Sequence, residues 1–334
     1  MKLGKVSQTV YQRSVKKQLY IEEGTALIPP SQAERCYGIT GQEGEEVISC
    51  DVSLYGNEKD LGVFAIAQAV NHLAAAGARP VGVSLTILLP DFAYESRLKA
   101  MMRDVQDAAS KWRISILAAD VQIVPNIGTT IVHATAQGTV ERGKCIHSGK
   151  ALPDQDIVQI NHIGTEGALR AKREKEEIPA ERFSPSFLAQ IEKMNEEICS
   201  IKEMETAAAI GVSAMHQIVD GGIMAALWSL AEDSGIGLSV DMRKIAVRQE
   251  TIEVCECFHL NPYQLTSAGC VLVVTDKGEE LADALNRQGM SAVVIGRTQK
   301  GNEKVLLNGG EKRYLDRPSP DELNRIYEPE AQTE

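Results

Sequence analysis

The sequence predicts an α/β fold (helical and sheet layers) built in two halves, and three observations carry that expectation. Apolar strands alternate with amphipathic helical stretches along the chain. A polar stretch punctuated by Gly and Pro, residues 141–156, divides it. Its 334 residues are enough for two domains or one large α/β unit.

In the first half, residues 47–50 read as a short strand ending in Asp51, and the loop SLYGNEK leads to Asp60. Asp60 is a natural N-cap for a helix running through Ala76. Residues 81–89, between Pro80 and Pro90, read as a buried strand, and residues 95–112 have amphipathic helical spacing. A strand at 114–119 ends in Asp120, and another covers 129–136. In the second half, strands are expected at 157–160, 237–240, 271–274 and 291–295. A turn at Gly164 opens a charged helix over 166–177, whose run RAKREKEE reads as a solvated face. Ser184-Pro185-Ser186 starts a helix to about Lys202. Gly221-Gly222 precedes IMAALWSLAEDSG, with Gly235 as its stop signal.

The stretch NHLAAAGARPVGVSLTILLP, residues 71–90, is the most informative. Ala74, Ala75, Ala76, Gly77 and Ala78 leave little side-chain bulk, so another element or a ligand can approach that backbone closely.

Bulk properties narrow the function. A net charge of −11 argues against nucleic acid and anionic membrane partners. No apolar run reaches transmembrane length, and MKLGKVSQTV has no signal-peptide core. Seven scattered cysteines without a CxxC favour free thiols in a reducing, cytoplasmic setting. Cys255 and Cys257 form a lone CxC, read as core packing ahead of metal ligation.

Three acids stand at element ends: Asp51 and Asp120 after strands, and Asp60 before the small-residue helix. In open α/β layers ligands gather beyond strand carboxyl ends, and carboxylates there suit Mg²⁺ bridged to phosphates. For each acid alone, capping or turn formation is the competing role. The Asp220-Gly221-Gly222 step into a helix is a second candidate, because amides at a helix start bind anions.

The segments NHLAAAGARPVGVSL, GVSAMHQIVDGGIMAALWSLAEDSGIGL, IAVRQETIEVCECFHLNPYQLTSAG and PSPDELNRIY, in that order, resemble the aminoimidazole-ribonucleotide synthase-like (PurM-like) superfamily. The branch they resemble lies near the hydrogenase-maturation dehydratase, and the resemblance covers nearly the whole chain. It implies an N-terminal α/β domain over residues 1–145 that binds ATP and forms a dimer barrel with its twin. It also implies a C-terminal α/β domain over 146–328, with 329–334 a frayed tail. The implied chemistry is ATP-dependent phosphorylation of a poorly reactive oxygen, with Mg²⁺ neutralising phosphate charge. On that reading Asp51 and Asp120 hold the metal, and Asp120 and Asp220 are catalytic. Asp51, Asp60, Asn71, His72, Gly221 and Gly222 form the nucleotide site.

Several positions depart from the family pattern. Its N-terminal Gly-Asp-Asp-Ala motif falls near residues 36–40, which read CYGIT. The second Asp of its Asn-Asp pair is His72, and its Gly-Asp-Thr/Glu step is Ala119-Asp120-Val121. Its Asp-Pro/Val-Thr-Glu/Arg-Gly-Gly element becomes Gln217-Ile218-Val219-Asp220-Gly221-Gly222. Losing carboxylates weakens Mg²⁺–triphosphate binding. The dehydratase carries its carbamoyl group on a C-terminal cysteine. Here the last cysteine is Cys270 and the sequence closes in EAQTE, so self-carbamoylation at the tail is not expected. The sister thiamine-phosphate kinase and selenophosphate synthase activities use the missing acids and are not favoured. Two functions follow: an ATP-dependent enzyme acting on a small-molecule or protein-bound substrate, or a dimeric scaffold of the same fold that turns nothing over.

Overall fold

The computed structural model describes Thr9 and residues 36–39, 44–57, 59–175 and 183–328. The expectations for the N-terminal decapeptide other than Thr9, for Thr40, for Glu176 and Glu177 and for the tail 329–334 lie outside the described residues.

The first half is one sheet covered on one face by helices. Its strands are β1 (Cys36–Ile39), β2 (Glu45–Gly56), β3 (Arg79–Leu89), β4 (Ser115–Ile123) and β5 (Thr130–Glu141). They lie in the order β1-β2-β5-β3-β4, and only β3 and β4 run parallel. Period-two alternation decides its two faces. Ile48, Cys50, Val52 and Leu54 of β2, with Val132, Ala134 and Ala136 of β5 and Val83, Leu85 and Ile87 of β3, are buried. They form a core with helix α1 (Leu61–Ala75). Helix α2 (Glu95–Trp112) packs outside α1. A Cβ on Gly62 would sit 2.6 Å from Val105 Cγ2, so this close crossing requires glycine.

Two strand ends differ from expectation. Asp51 lies inside a twelve-residue strand, and Asp120 lies inside nine-residue β4. The reason is legible afterwards: Asp51-Val52-Ser53-Leu54 continues the polar–apolar alternation, and its apolar members are buried. Polar residues read as a loop were the outward half of a strand.

The second half has a seven-stranded sheet. Its strands are β6 (Asp156–Ile160), β7 (Ala214–Gln217), β8 (Gly237–Asp241), β9 (Val271–Thr275), β10 (Ala292–Gln299), β11 (Lys304–Asn308) and β12 (Glu311–Tyr314). The order is β12-β11-β8-β10-β6-β9-β7, antiparallel except for β11 with β8. Helices α5 (Ile201–Ile210), α6 (Gly222–Ser234) and α8 (Gly278–Arg287) pack on it, whereas α3 (Thr165–Glu174), α4 (Pro185–Lys193) and α7 (Gln249–Cys257) carry Leu169, Ile191 and Val254 into the core of the first half. The single helix expected from Ser184 to Lys202 is broken. Ser184 caps α4 by accepting from Phe187 N, a 3₁₀ turn follows over Met194–Glu197, and α5 starts at Ile201. Gly235 ends α6 in the left-handed conformation, as its position predicts.

The small residues of α1 have a clear packing role. Ala74 and Ala75 join the core of the second half beside Val158, Ile160, Met204, Ala207 and Met215. The element that approaches this backbone is therefore the other half of the chain.

The charged helix α3 also differs from expectation. Thr165 through Ala171 are all buried, and Glu166 has no exposed surface. Its carboxylate accepts from Gln68 Nε2 of α1 at 2.8 and 2.9 Å, Thr266 Oγ1 at 2.8 Å and Ala268 N at 3.0 Å. Arg170 Nη1 lies 3.4 Å away. Four donor groups from three parts of the chain converge on one carboxylate. Truncating it strands them in a dry site, where a lost buried partner costs about 3–5 kcal/mol. Glu166→Ala is therefore expected to lower unfolding free energy by that amount in urea titrations. A loss below about 1 kcal/mol would contradict the central place given to this carboxylate.

Candidate functional site between the two halves

The outward face of the N-terminal sheet carries a hydrogen-bonded polar group. Thr135 Oγ1 donates to Asp51 Oδ1 at 2.6 Å and lies 3.3 Å from His133 Nε2. His133 Nδ1 shares a hydrogen bond with Ser53 Oγ at 2.8 Å, and Nε2 lies 3.6 Å from Asp51. Burial, then Asp51, push the Tyr37 hydroxyl above its ordinary pKa. Asp120 stands on the same face and accepts from Gln122 Nε2 at 2.8 Å.

The register separates the two expected metal ligands. Asp51 pairs with Thr135 and Asp120 with Thr86, so β5 and β3 lie between them. Three strand spacings of about 4.8 Å put them about 14 Å apart. A cation binding oxygen at about 2.1 Å is not shared over that distance. Among the described residues, no group of three or more His, Cys, Asp or Glu is placed to hold a metal ion. Among the described residues of one chain, Asp51 and Asp120 therefore do not hold one Mg²⁺ together. The strand-end rule misleads here because it belongs to parallel sheets. In these antiparallel sheets carboxyl ends point both ways.

Two further expected residues, Asp60 and Asn71, are engaged in holding the fold. Asp60 occupies the N-cap position of α1 but makes no cap bond; its carboxylate pairs with Arg173 of α3. Burial raises its pKa, and Arg173 opposes part of that rise. Asn71 is fully buried, donating to Ile198 O at 2.8 Å and accepting from Ser200 N at 2.9 Å. This staples α1 to the start of α5.

The diglycine step is shaped as an anion cradle, with φ of +82° at Gly221 and +63° at Gly222. A Cβ on Gly222 would meet Tyr263 O at 2.5 Å, so this approach excludes other residues. The Gly221 amide donates at 2.7 Å to Asp321 Oδ2, from the 3₁₀ segment ending the described chain. Asp321 also caps that segment, accepting from Leu323 N at 2.9 Å. Burial first, then nearby Asp220, push its carboxyl up to about 7. The chain's own carboxylate thus stands where Asp220-Gly221-Gly222 was expected to receive a phosphate. Tyr55 of β2 secures the same segment through a 2.6 Å bond to Asn324 and ring contact with Tyr327.

His72 is buried beside a small cleft, with room for about one water, that lies between α1, the connection after β5, and β7. His147, His216 and Gln217 line it with His72. Burial and neighbouring Lys150 hold His147 below the usual histidine range. Gln217 is 1% exposed, and neither its Oε1 nor its Nε2 has a hydrogen-bond partner among the described residues. A buried unsatisfied polar atom costs about 1–3 kcal/mol, so its persistence needs a reason. Sequence reasoning treated Gln217 as a lost acid and passed over His147 and His216. His216 adjoins the departing Gln217 in the sequence, and nothing in the sequence marks His147.

A model of the AIR synthase related protein N-terminal domain matches residues 36–140, and one of the C-terminal domain matches 152–308. A putative hydrogenase expression/formation protein of Methanocaldococcus jannaschii is 25% identical over 272 residues, covering 80% of this chain and 79% of that protein. Carbamoyl dehydratase HypE of Rhodobacter capsulatus is 25% identical over 276 residues, with the same coverages. The crystal structure of hydrogenase maturation protein HypE in complex with ATP superposes with a TM-score of 0.69 at 19% identity, covering 90% of each chain. At that identity the superposition speaks for the fold. With both halves matched in order, the chain belongs to the AIR synthase related family, and its two-sheet α/β architecture is the PurM-like fold.

Proposed function

We propose that this protein is an ATP-using enzyme that activates an oxygen of a small molecule or protein-bound group by phosphorylation. The observation that carries this reading is the Asp51–Thr135–His133–Ser53 constellation, held half-exposed on a sheet face that also presents Asp120. An outward acid alone is ordinary on such a face; what supports the reading is that the acid, the imidazole and two hydroxyls are joined by hydrogen bonds. A relative of the same fold has been solved with ATP, which supports nucleotide as the phosphoryl source. Thr135 orients the Asp51 carboxylate, and the imidazole between Asp51 and Ser53 is placed to hold or pass a proton.

The enzyme reading includes a homodimer. Strand β4 is a sheet edge, with Leu117, Val121 and Ile123 exposed beside Asp120. Such an edge calls for a cover. A second copy would bury it and bring a second set of acids to the polar face, which one chain needs to hold a cation. All seven cysteines are free, which supports a reducing, cytoplasmic setting.

The scaffold reading is favoured by one specific observation: the Gly221 amide already donates to Asp321. In that reading the protein keeps the fold and the dimer and turns nothing over.

Calorimetric titration with ATP and Mg²⁺, paired with a phosphate-release assay, separates the two. Binding in the micromolar to millimolar range is expected, with release lowered about 10–100-fold in Asp120→Asn. No heat at millimolar ATP would remove the enzyme reading. Sedimentation equilibrium should give twice the chain mass, shifting towards the monomer in Val121→Lys; an unshifted variant would place the dimer contact elsewhere.

Asp321 generates a pH prediction. Its unfolded carboxyl titrates near 3.8 and its folded one near 7, so between these values the folded state binds more protons. Its contribution is most favourable below about pH 4 and declines as pH rises to about 7. Asp321→Asn removes that slope. The variant's melting temperature relative to the parent should therefore rise between pH 5 and pH 8, and a pH-independent difference would refute the assignment.

A further inference from the structure

We propose that Cys36 and Cys50 form a reversible disulfide when the protein meets a hydroperoxide, clipping edge strand β1 to β2. The register of the first sheet sets the two directly opposite each other. Period-two alternation turns both to the buried face, where they are 4% and 0% exposed. Both are thiols in this structure.

The backbone already supplies most of the geometry. Residues directly opposite in an antiparallel pair have Cα atoms about 4.5 or 5.5 Å apart, within the roughly 4.4–6.8 Å that a disulfide spans. Their Cβ atoms lie about 4.5–5.5 Å apart and a disulfide needs about 3.5–4.5 Å, so closure asks for an approach of about 1 Å. Strand β1 can give it. It has four residues, stands at the sheet edge and, among the described residues, pairs with β2 alone. Such a strand opens locally at low cost, which also admits the oxidant to a buried thiol.

Oxidation leaves no acceptor stranded. Cys36 Sγ donates to His72 O at 3.3 Å, and that carbonyl also accepts from Ala76 N at 3.0 Å. Losing the thiol proton therefore exchanges a weak tie to α1 for a covalent tie to β2. Cys255 and Cys257, by contrast, stand two apart on α7 and so on different sides of it. Burial pushes the Cys199 and Cys255 thiols up to about 12, which keeps them inert.

The step balances with the peroxide as oxidant. One thiolate attacks the peroxide, the O–O bond breaks, and a sulfenic acid and water form. The facing thiol then attacks that sulfur, the S–S bond forms and a second water leaves. Two electrons and two protons pass from the cysteines to the peroxide. In a reducing compartment such a bond is transient, as a sensing disulfide is.

The clip bears on the proposed site through Tyr37. This residue follows Cys36 on β1, is exposed on the outward face, and its hydroxyl interacts with Asp51. Fixing β1 holds Tyr37 at that acid. This consequence rests on the function proposed above, whereas the disulfide rests on the fold alone.

The test treats the reduced full chain with hydrogen peroxide and alkylates the remaining thiols. Cleavage then follows Glu43, Glu45 and Glu46, which lie between the two cysteines. A peptide pair joined through Cys36 and Cys50, and released by dithiothreitol, is expected. Oxidised protein should melt a few degrees above reduced protein, with no such rise in Cys36→Ser. The parent chain itself gives the mass readout, so a poorly folding variant leaves the result decisive. Peroxide oxidation that bypasses the pair, a bond from Cys36 to another cysteine, or joining only in urea would overturn the proposal. ATP turnover is not needed for this readout, so an absent cross-link and a failed enzyme reading are told apart.

Discussion

The buried carboxylate of Glu166 is the constraint on which the arrangement of the two halves depends. It collects donors from α1, from α3 itself and from the segment before β9. A charge this deep is tolerable only when its acceptor sites are filled by well-placed donors. That requirement fixes α1 against α3 and with it the separation of the two sheets. Arg170 extends the network by donating to Tyr55 O of β2 at 2.8 Å, and Tyr55 in turn holds the C-terminal 3₁₀ segment.

Much of the fold was legible because burial here obeys simple periods. The 3.6-residue spacing of α2 and the glycine stop of α6 appear where the sequence places them. The strands were harder to delimit, since β2 and β4 continue past the acids that seemed to end them. In an antiparallel sheet with one open face, an outward acid is an ordinary strand residue, and only pairing partners reveal it. Glu166 was hidden for a related reason. It opens the helix that leads into the charged run from Arg170, and nothing in the sequence marks this acid as the one that will be buried with partners from distant segments.

The candidate site was legible in outline and misread in detail. Each conserved-looking acid or amide has a local task once the chain is folded: Asp60 pairs with Arg173, Asn71 staples α5, and Gly221 meets Asp321. Gln217, His147 and His216, which break the family pattern or were not singled out, line the cleft beside His72. Asp60, Asn71 and Gly221 keep the pattern and serve architecture, Asp51 keeps it and stands on the open sheet face, and His72 and Gln217 break it and line the cleft. A resemblance read from pattern-keeping positions is therefore a sound guide to fold and a weak guide to chemistry.

The Gly221–Asp321 contact also bears on how the molecule is made. Its two partners lie 100 positions apart in the chain. At ribosomal rates of about 5–20 residues per second, the amide at the start of α6 waits roughly 5–20 s for its carboxylate. During synthesis the second half therefore exists first with this turn unclosed. Its final shape is set only when the segment carrying Asp321 has left the ribosome and folded back.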